Sequence, residues 1–123
     1  MAIELTILGQ PPRKSNSRQV VTNRRTGRPM VIKSRKAREW ARAALLQIPH
    51  SARQALGGPG DPLKISCWIW YKDNRSDLSI ELIQDVLEQA EVIKNDRYIV
   101  EAHAYKRFSR SFPRVKIIIE RAK

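Results

Sequence analysis

Apolar residues gather in a few short runs, separated by segments rich in Pro, Gly and charge. Residues 2–8, AIELTIL, read as an opening strand. The segment GQPPRKSNSR follows; Pro11 and Pro12 hold it extended, and its Ser and Asn content makes it a loop. The short apolar runs VV at 20–21 and MVI at 30–32 flank TNRRTGRP, which predicts a hairpin with a basic tip. Ser34 is placed to cap a helix over 35–48, with Trp40, Ala44, Leu45 and Ile48 as its apolar face. A Gly/Pro-rich connector, PHSARQALGGPGDP, holds at most a short helical turn. Residues 63–71, LKISCWIWY, form a strand in which Trp68 and Trp70 alternate with Cys67, Ile69 and Tyr71, so both of its faces are apolar. A central strand covered on both sides explains that pattern, and a dimer interface on one side explains it equally well.

A second helix is expected over about 78–91, with Leu78, Leu82, Ile83, Val86, Leu87 and Ala90 on one flank and acids on the other. Two strands, 97–107 and 112–120, close the pattern around the turn RFSRSFPR. This order is not a regular alternation of strand and helix. It predicts an α+β fold: a single small domain spanning 1–123, with a mixed β-sheet and two main helices.

Charge changes the picture. The chain has 24 Lys and Arg against 12 Asp and Glu, a net +12. Residues 13–42 hold eleven of the cations and one acid, Glu39, and residues 106–123 hold seven against Glu120. Eight of the acids lie between Asp73 and Glu101. Two basic segments flanking an acidic centre point to nucleic acid as the partner. Cys67 is the only cysteine, so neither an intrachain disulfide nor an all-cysteine zinc site is possible. No apolar run approaches a membrane span or a secretory core, so no membrane partner and a cytoplasmic location are expected.

Clustered acids in so basic a chain need a reason, because carboxylates repel phosphate. Asp77, Glu81, Asp85, Glu88 and Glu91 fall at helical spacing, and the first three are four apart on one face. Asp96 follows in a turn-like KND. Hydrolysis of a phosphodiester needs an activated water and relief of developing charge, both of which Mg²⁺ or Mn²⁺ supplies from oxygen ligands. Asp77, Glu81 and Asp96 are therefore the leading ligands, with Asp85 and Asp73 as further metal candidates. Asp85 lies two turns, about 12 Å, from Asp77 and does not share one ion with it unaided. The plainer alternative is a solvated acidic face with Asp77 as a cap, and Glu88 and Glu91 are read as surface charges.

The run RSDLSIELIQDVLEQAEVIKNDRYIV resembles the RusA family of Holliday junction resolvases. The matching pieces are Asp77-Leu78, Asp85-Val86-Leu87, and Asn95-Asp96 after VIK, together with the opening TILGQPPRKSN. The resemblance implies a small homodimeric α+β protein that cuts four-way DNA junctions with Mg²⁺ or Mn²⁺, using three aspartates and a helix lysine. Here the family's DLDN segment reads Asp77-Leu78-Ser79-Ile80, and Asn95 replaces the first acid of a D-D pair. Aligned without a gap from Asp85 and Asp96, Arg75 takes the first aspartate's place and Glu81 the lysine's. Asp73 is the nearby acid that could compensate. Lys94 or Lys72 could steady a phosphate, and Glu81 could have become a ligand. The catalytic residues expected on this reading are Asp77, Asp96, Glu81 and Lys94, with no small-molecule cofactor. The alternative is a junction-binding protein that no longer cuts.

Cations outside this segment are expected to meet phosphate, which positions DNA without reading its bases. They are Arg13, Lys14 and Arg18 in the first loop, Arg24, Arg25 and Arg28 in the hairpin, and Lys33, Arg35 and Lys36 around the first helix start. Lys72 and Arg75 precede the acidic helix, and Arg107 and Arg110 sit at the far turn with Arg114. Phe108 and Phe112 interleave with this last group and could stack on an exposed base or pack against the body. His50 and His103 have no partners at a telling spacing.

Overall fold

The computed structural model describes residues 2–12, 18–73 and 78–122. Six strands and two α-helices occur in them: β1 (Ala2–Leu8), β2 (Arg18–Thr22), β3 (Pro29–Lys33), α1 (Arg35–Gln47), β4 (Leu63–Tyr71), α2 (Glu81–Gln89), β5 (Ile99–Phe108) and β6 (Arg114–Arg121). The strands β1, β6, β4 and β5 form one mixed sheet in that order, and β2 and β3 form a separate hairpin. The fold is α+β, as the element pattern predicts. β1 and β4 both run antiparallel to β6, whereas β4 and β5 are parallel. Parallel neighbours need a crossover, and α2 lies in the one that joins β4 to β5. The two last strands, though close in sequence, do not pair with each other, because β4 lies between them.

Both helices pack on one face of this sheet. Ile3, Leu5 and Ile7 of β1, Ile65, Cys67 and Ile69 of β4, and Val115, Ile117 and Ile119 of β6 alternate inward and form one core with both helices. Trp40 and Ala44 come from α1, and Ile83, Val86 and Leu87 from α2. Cys67 is fully buried, and burial pushes its thiol up to about 12. It should therefore resist alkylation at pH 8 in the native protein and react only on unfolding, since the thiolate is the reactive form. Modification at equal rates with and without denaturant would contradict this burial.

The Ser34 Oγ accepts the Ala37 N–H at 3.1 Å, which caps α1 as its sequence position suggests. Replacing Ser34 with Ala should cost about 1 kcal/mol, read as a lower urea midpoint with an unchanged slope. In the hairpin, Asn23 Oδ1 accepts the Arg25 N–H at 2.9 Å, and Gly27 takes a φ of +72°. This local turn chemistry holds Arg24, Arg25 and Arg28 at an exposed tip.

The second helix is shorter than its periodicity suggests. It begins at Glu81, not near Leu78, and ends at Gln89. Its last turn closes by a bond from the Val92 N–H to the Leu87 carbonyl at 2.9 Å and one from Glu91 to Glu88 at 3.0 Å. Glu91 sits at φ +60° in the left-handed position of this C-terminal motif. Glu91 is thus a cap residue and not part of the acidic face. The segment after it runs beside the connector, where Leu56 and Ile93 form a parallel bridge. Among the described residues no helix is long and apolar enough to cross a membrane.

Candidate metal and nucleic-acid site

Two of the predicted ligands, Glu81 and Asp85, stand one turn apart on α2 and face the β2–β3 hairpin. The opposite flank of the helix, with Ile83, Val86 and Leu87, is buried, which turns these carboxylates outward. Arg18 opens β2 and Lys33 closes β3, and the two are direct cross-strand partners. Cross-strand neighbours lie about 5 Å apart and successive helical turns about 5.4 Å apart, so the spacings match. Arg18 Nη2 donates to Glu81 Oε1, and Lys33 Nζ lies 3.5 Å from Asp85 Oδ2. With Val31, Ile32 and Leu82 they line a cleft of about 180 Å³.

These pairs are not buried. Their four side chains are between 37 and 61% exposed, and exposed pairs of this kind contribute about 0–1 kcal/mol each. A divalent cation on the acids and a phosphate on the cations can therefore displace them at little loss. Mg²⁺ is commonly held by one or two carboxylates, the rest of its shell being water and substrate phosphate. Glu81 and Asp85 fit that donor set as a partial site. Asp77, predicted as a ligand beside them, lies outside the described residues, as do Arg13, Lys14 and Arg75.

The Asp96 backbone N–H donates to Glu88 Oε1 at 3.1 Å, so the structure groups Asp96 with the C-terminal half of α2. Asn95 caps the short 3₁₀ turn that Asp96 begins, its Oδ1 accepting the Arg97 N–H at 3.0 Å. Lys94 is tied through its backbone to the Leu56 carbonyl at 2.8 Å, and its side chain is exposed. Lys72 donates its backbone N–H to Gln10 Oε1 at 2.7 Å, and both Lys72 and Asp73 are exposed just past β4. Among the described residues, no three His, Cys, Asp or Glu side chains gather as a ready metal-ligand group.

Cations predicted to meet DNA divide into separate surfaces. Arg35 pairs with Glu39 one turn on at 2.9 Å, while Lys36 is exposed. Lys33 also borders a second cleft between the helices, of about 280 Å³, with Arg38, Arg42 and Gln89. Arg38 and Arg42, four apart on one face of α1, line this cleft, although neither stands among the cations predicted to meet DNA. Arg107 and Arg110 lie at the far end of the sheet and are exposed. His103 lies away from the acidic helix face. Its Nε2 is 2.9 Å from Glu101 Oε1 on the same strand face, and this hydrogen bond holds the Glu101 carboxyl below its ordinary value.

No protein-family model matches the chain, and no curated protein is found to be similar to it.

Proposed function

We propose that this chain is a metal-dependent, structure-selective endodeoxyribonuclease that hydrolyses phosphodiester bonds in four-way DNA junctions as a homodimer. One observation supports this reading above the others: the acids Glu81 and Asp85 share a single exposed cleft with the cations Arg18 and Lys33. A phosphodiesterase site needs both kinds of group side by side, one to hold a metal and the other to hold the phosphate that would be repelled by the acids alone. Glu81 and Asp85, with Asp77, are the assigned ligands for Mg²⁺ or Mn²⁺. When bound, the ion activates water and relieves charge on the reacting phosphate. Arg18 and Lys33, released from their carboxylates, orient the phosphate from the hairpin side. The tip cations Arg24, Arg25 and Arg28 extend the basic surface along a DNA arm, and a twofold dimer presents two such clefts to two strands of equal geometry. The resemblance to the RusA family, carried by Asp77-Leu78, Asp85-Val86-Leu87 and Asp96, agrees with this substrate.

The same ion pairs favour a second reading, a junction-binding protein that does not cut, since Glu81 and Asp85 are already neutralised by the hairpin. Incubating a labelled four-way junction and a matched linear duplex with Mg²⁺, Mn²⁺ or EDTA separates the two. Paired, metal-dependent nicks confined to the junction and lost in Asp77→Asn support the nuclease. Tight junction binding with no metal-dependent cut supports the binder.

A further inference from the structure

The sheet face opposite the helices is chemically divided along its length. Towards one end Glu4 and Glu120 are matched with cations: Glu4 lies 3.2 Å from Lys116 Nζ, and Glu120 lies 3.9 Å from Lys64 Nζ. At the other end, strand register sets Trp68 beside Tyr105 and Lys116, and Trp70 beside Arg107 and Arg114. The Trp68 and Tyr105 rings stack with centroids 5.3 Å apart and planes 18° apart. The Arg114 guanidinium sits 4.0 Å from the Trp70 ring centroid and 4.9 Å from that of Phe112, so it stands against both rings. Arg107 lies 5.6 Å from the Tyr105 ring.

These two arginines therefore stand against aromatic faces, and no ion pair to a carboxylate is seen for either among the described residues. Cation–π contact orients a guanidinium without cancelling its charge. Tyr105 and Phe112 remain 39 and 49% exposed. A strand bearing Trp at alternate positions on an uncovered face is unusual for a surface that meets only water. The complementary ligand carries flat aromatic faces and regularly spaced negative charges together. A duplex hides its base faces, and a protein surface rarely offers both. We propose that this end of the sheet binds unpaired single-stranded DNA, with bases stacked on the Tyr105 and Phe112 side of the ring array and phosphates on Arg107 and Arg114. The choice of DNA rests on the proposed junction substrate, whose strands can expose bases. The site itself is separate from the Glu81–Asp85 cleft and is tested without cutting.

The test is binding of a short fluorescein-labelled oligothymidylate to the full chain in EDTA at low salt. Label anisotropy and intrinsic tryptophan emission are followed together, with circular dichroism checking each variant's fold. Saturating strand should quench the emission of Trp68 and Trp70. Trp70→Ala should weaken single-strand binding about tenfold, the scale of one stacked base, because it removes the ring that supports Arg114, and through it Phe112, in the array on which the bases stack, while Trp70→Phe restores most of it. Arg114→Gln, which leaves the rings in place, should weaken binding and reduce its salt dependence by about one counterion. Duplex affinity should change less than twofold in the Trp70 variants. The proposal is overturned if emission is not quenched, or if Trp70→Ala and Arg114→Gln bind the strand as wild type does. It is overturned equally if Trp70→Ala weakens duplex and single strand alike, or if the substitutions dissociate a dimer without altering single-strand affinity. Since cutting is not read, failure of the nuclease proposal leaves this result intact.

Discussion

Glu81→Gln is expected to lower metal-dependent junction cutting by about a hundredfold or more while leaving junction affinity equal or higher. The two effects have one origin. The carboxylate at position 81 faces the Arg18 guanidinium across the cleft. An amide there is a weaker metal donor and carries no charge, so stabilisation of the reacting phosphate is lost. Arg18 is meanwhile freed from its ion pair, and one negative charge that repels the DNA backbone is removed. Asp85→Asn should behave in the same way by releasing Lys33. The measurement is single-turnover cutting of a labelled junction with Mn²⁺, beside its affinity in EDTA. Reduced cutting through poor binding would appear as a parallel loss in both assays. Unchanged cutting by both variants would remove Glu81 and Asp85 from the catalytic assignment.

Leu87→Ala should destabilise the protein by about 2–5 kcal/mol, a large fraction of the roughly 5–15 kcal/mol that holds a domain of this size together. Leu87 is fully buried on the inner flank of α2, and its carbonyl accepts the Val92 N–H that ends the helix. Truncation leaves a cavity beneath a helix of only nine residues and loosens the platform carrying Glu81 and Asp85. A control is Leu46→Ala on α1, where the side chain is 85% exposed; its effect should stay within about 0.5 kcal/mol. Urea unfolding of both variants decides the matter. A loss below about 1 kcal/mol for Leu87→Ala would mean that α2 is not packed on the sheet as described.

Much of this architecture was legible in one dimension. The Ser34 cap, the strand 63–71 and the hairpin with its basic tip follow from local backbone chemistry and periodicity, which act over a few residues. The order of elements was enough for the α+β class. The start of α2 was not legible, because Leu78 and Ile80 continue the apolar rhythm although the helical hydrogen bonds begin only at Glu81. Glu91 fits the acidic spacing, yet its positive φ makes it the turn that ends the helix.

Sequence alone also determined the charge contrast, a basic chain with a concentrated acidic segment, and the acids and cations available for phosphate chemistry. Only the tertiary structure decided their partners. Cross-strand pairing of Arg18 with Lys33 set two cations against Glu81 and Asp85, residues more than fifty positions away. Asp96 was placed with Glu88, and His103 with Glu101. Packing decided which side of β4 this chain covers itself: both helices lie on the Cys67 side, leaving Trp68 and Trp70 on the other face among Arg107, Arg114 and Lys116. Periodicity tells which residues share a face of one element. Which face meets a helix, and which charges meet across a cleft, depends on contacts between distant segments, and these exist only once the sheet, hairpin and helices have docked.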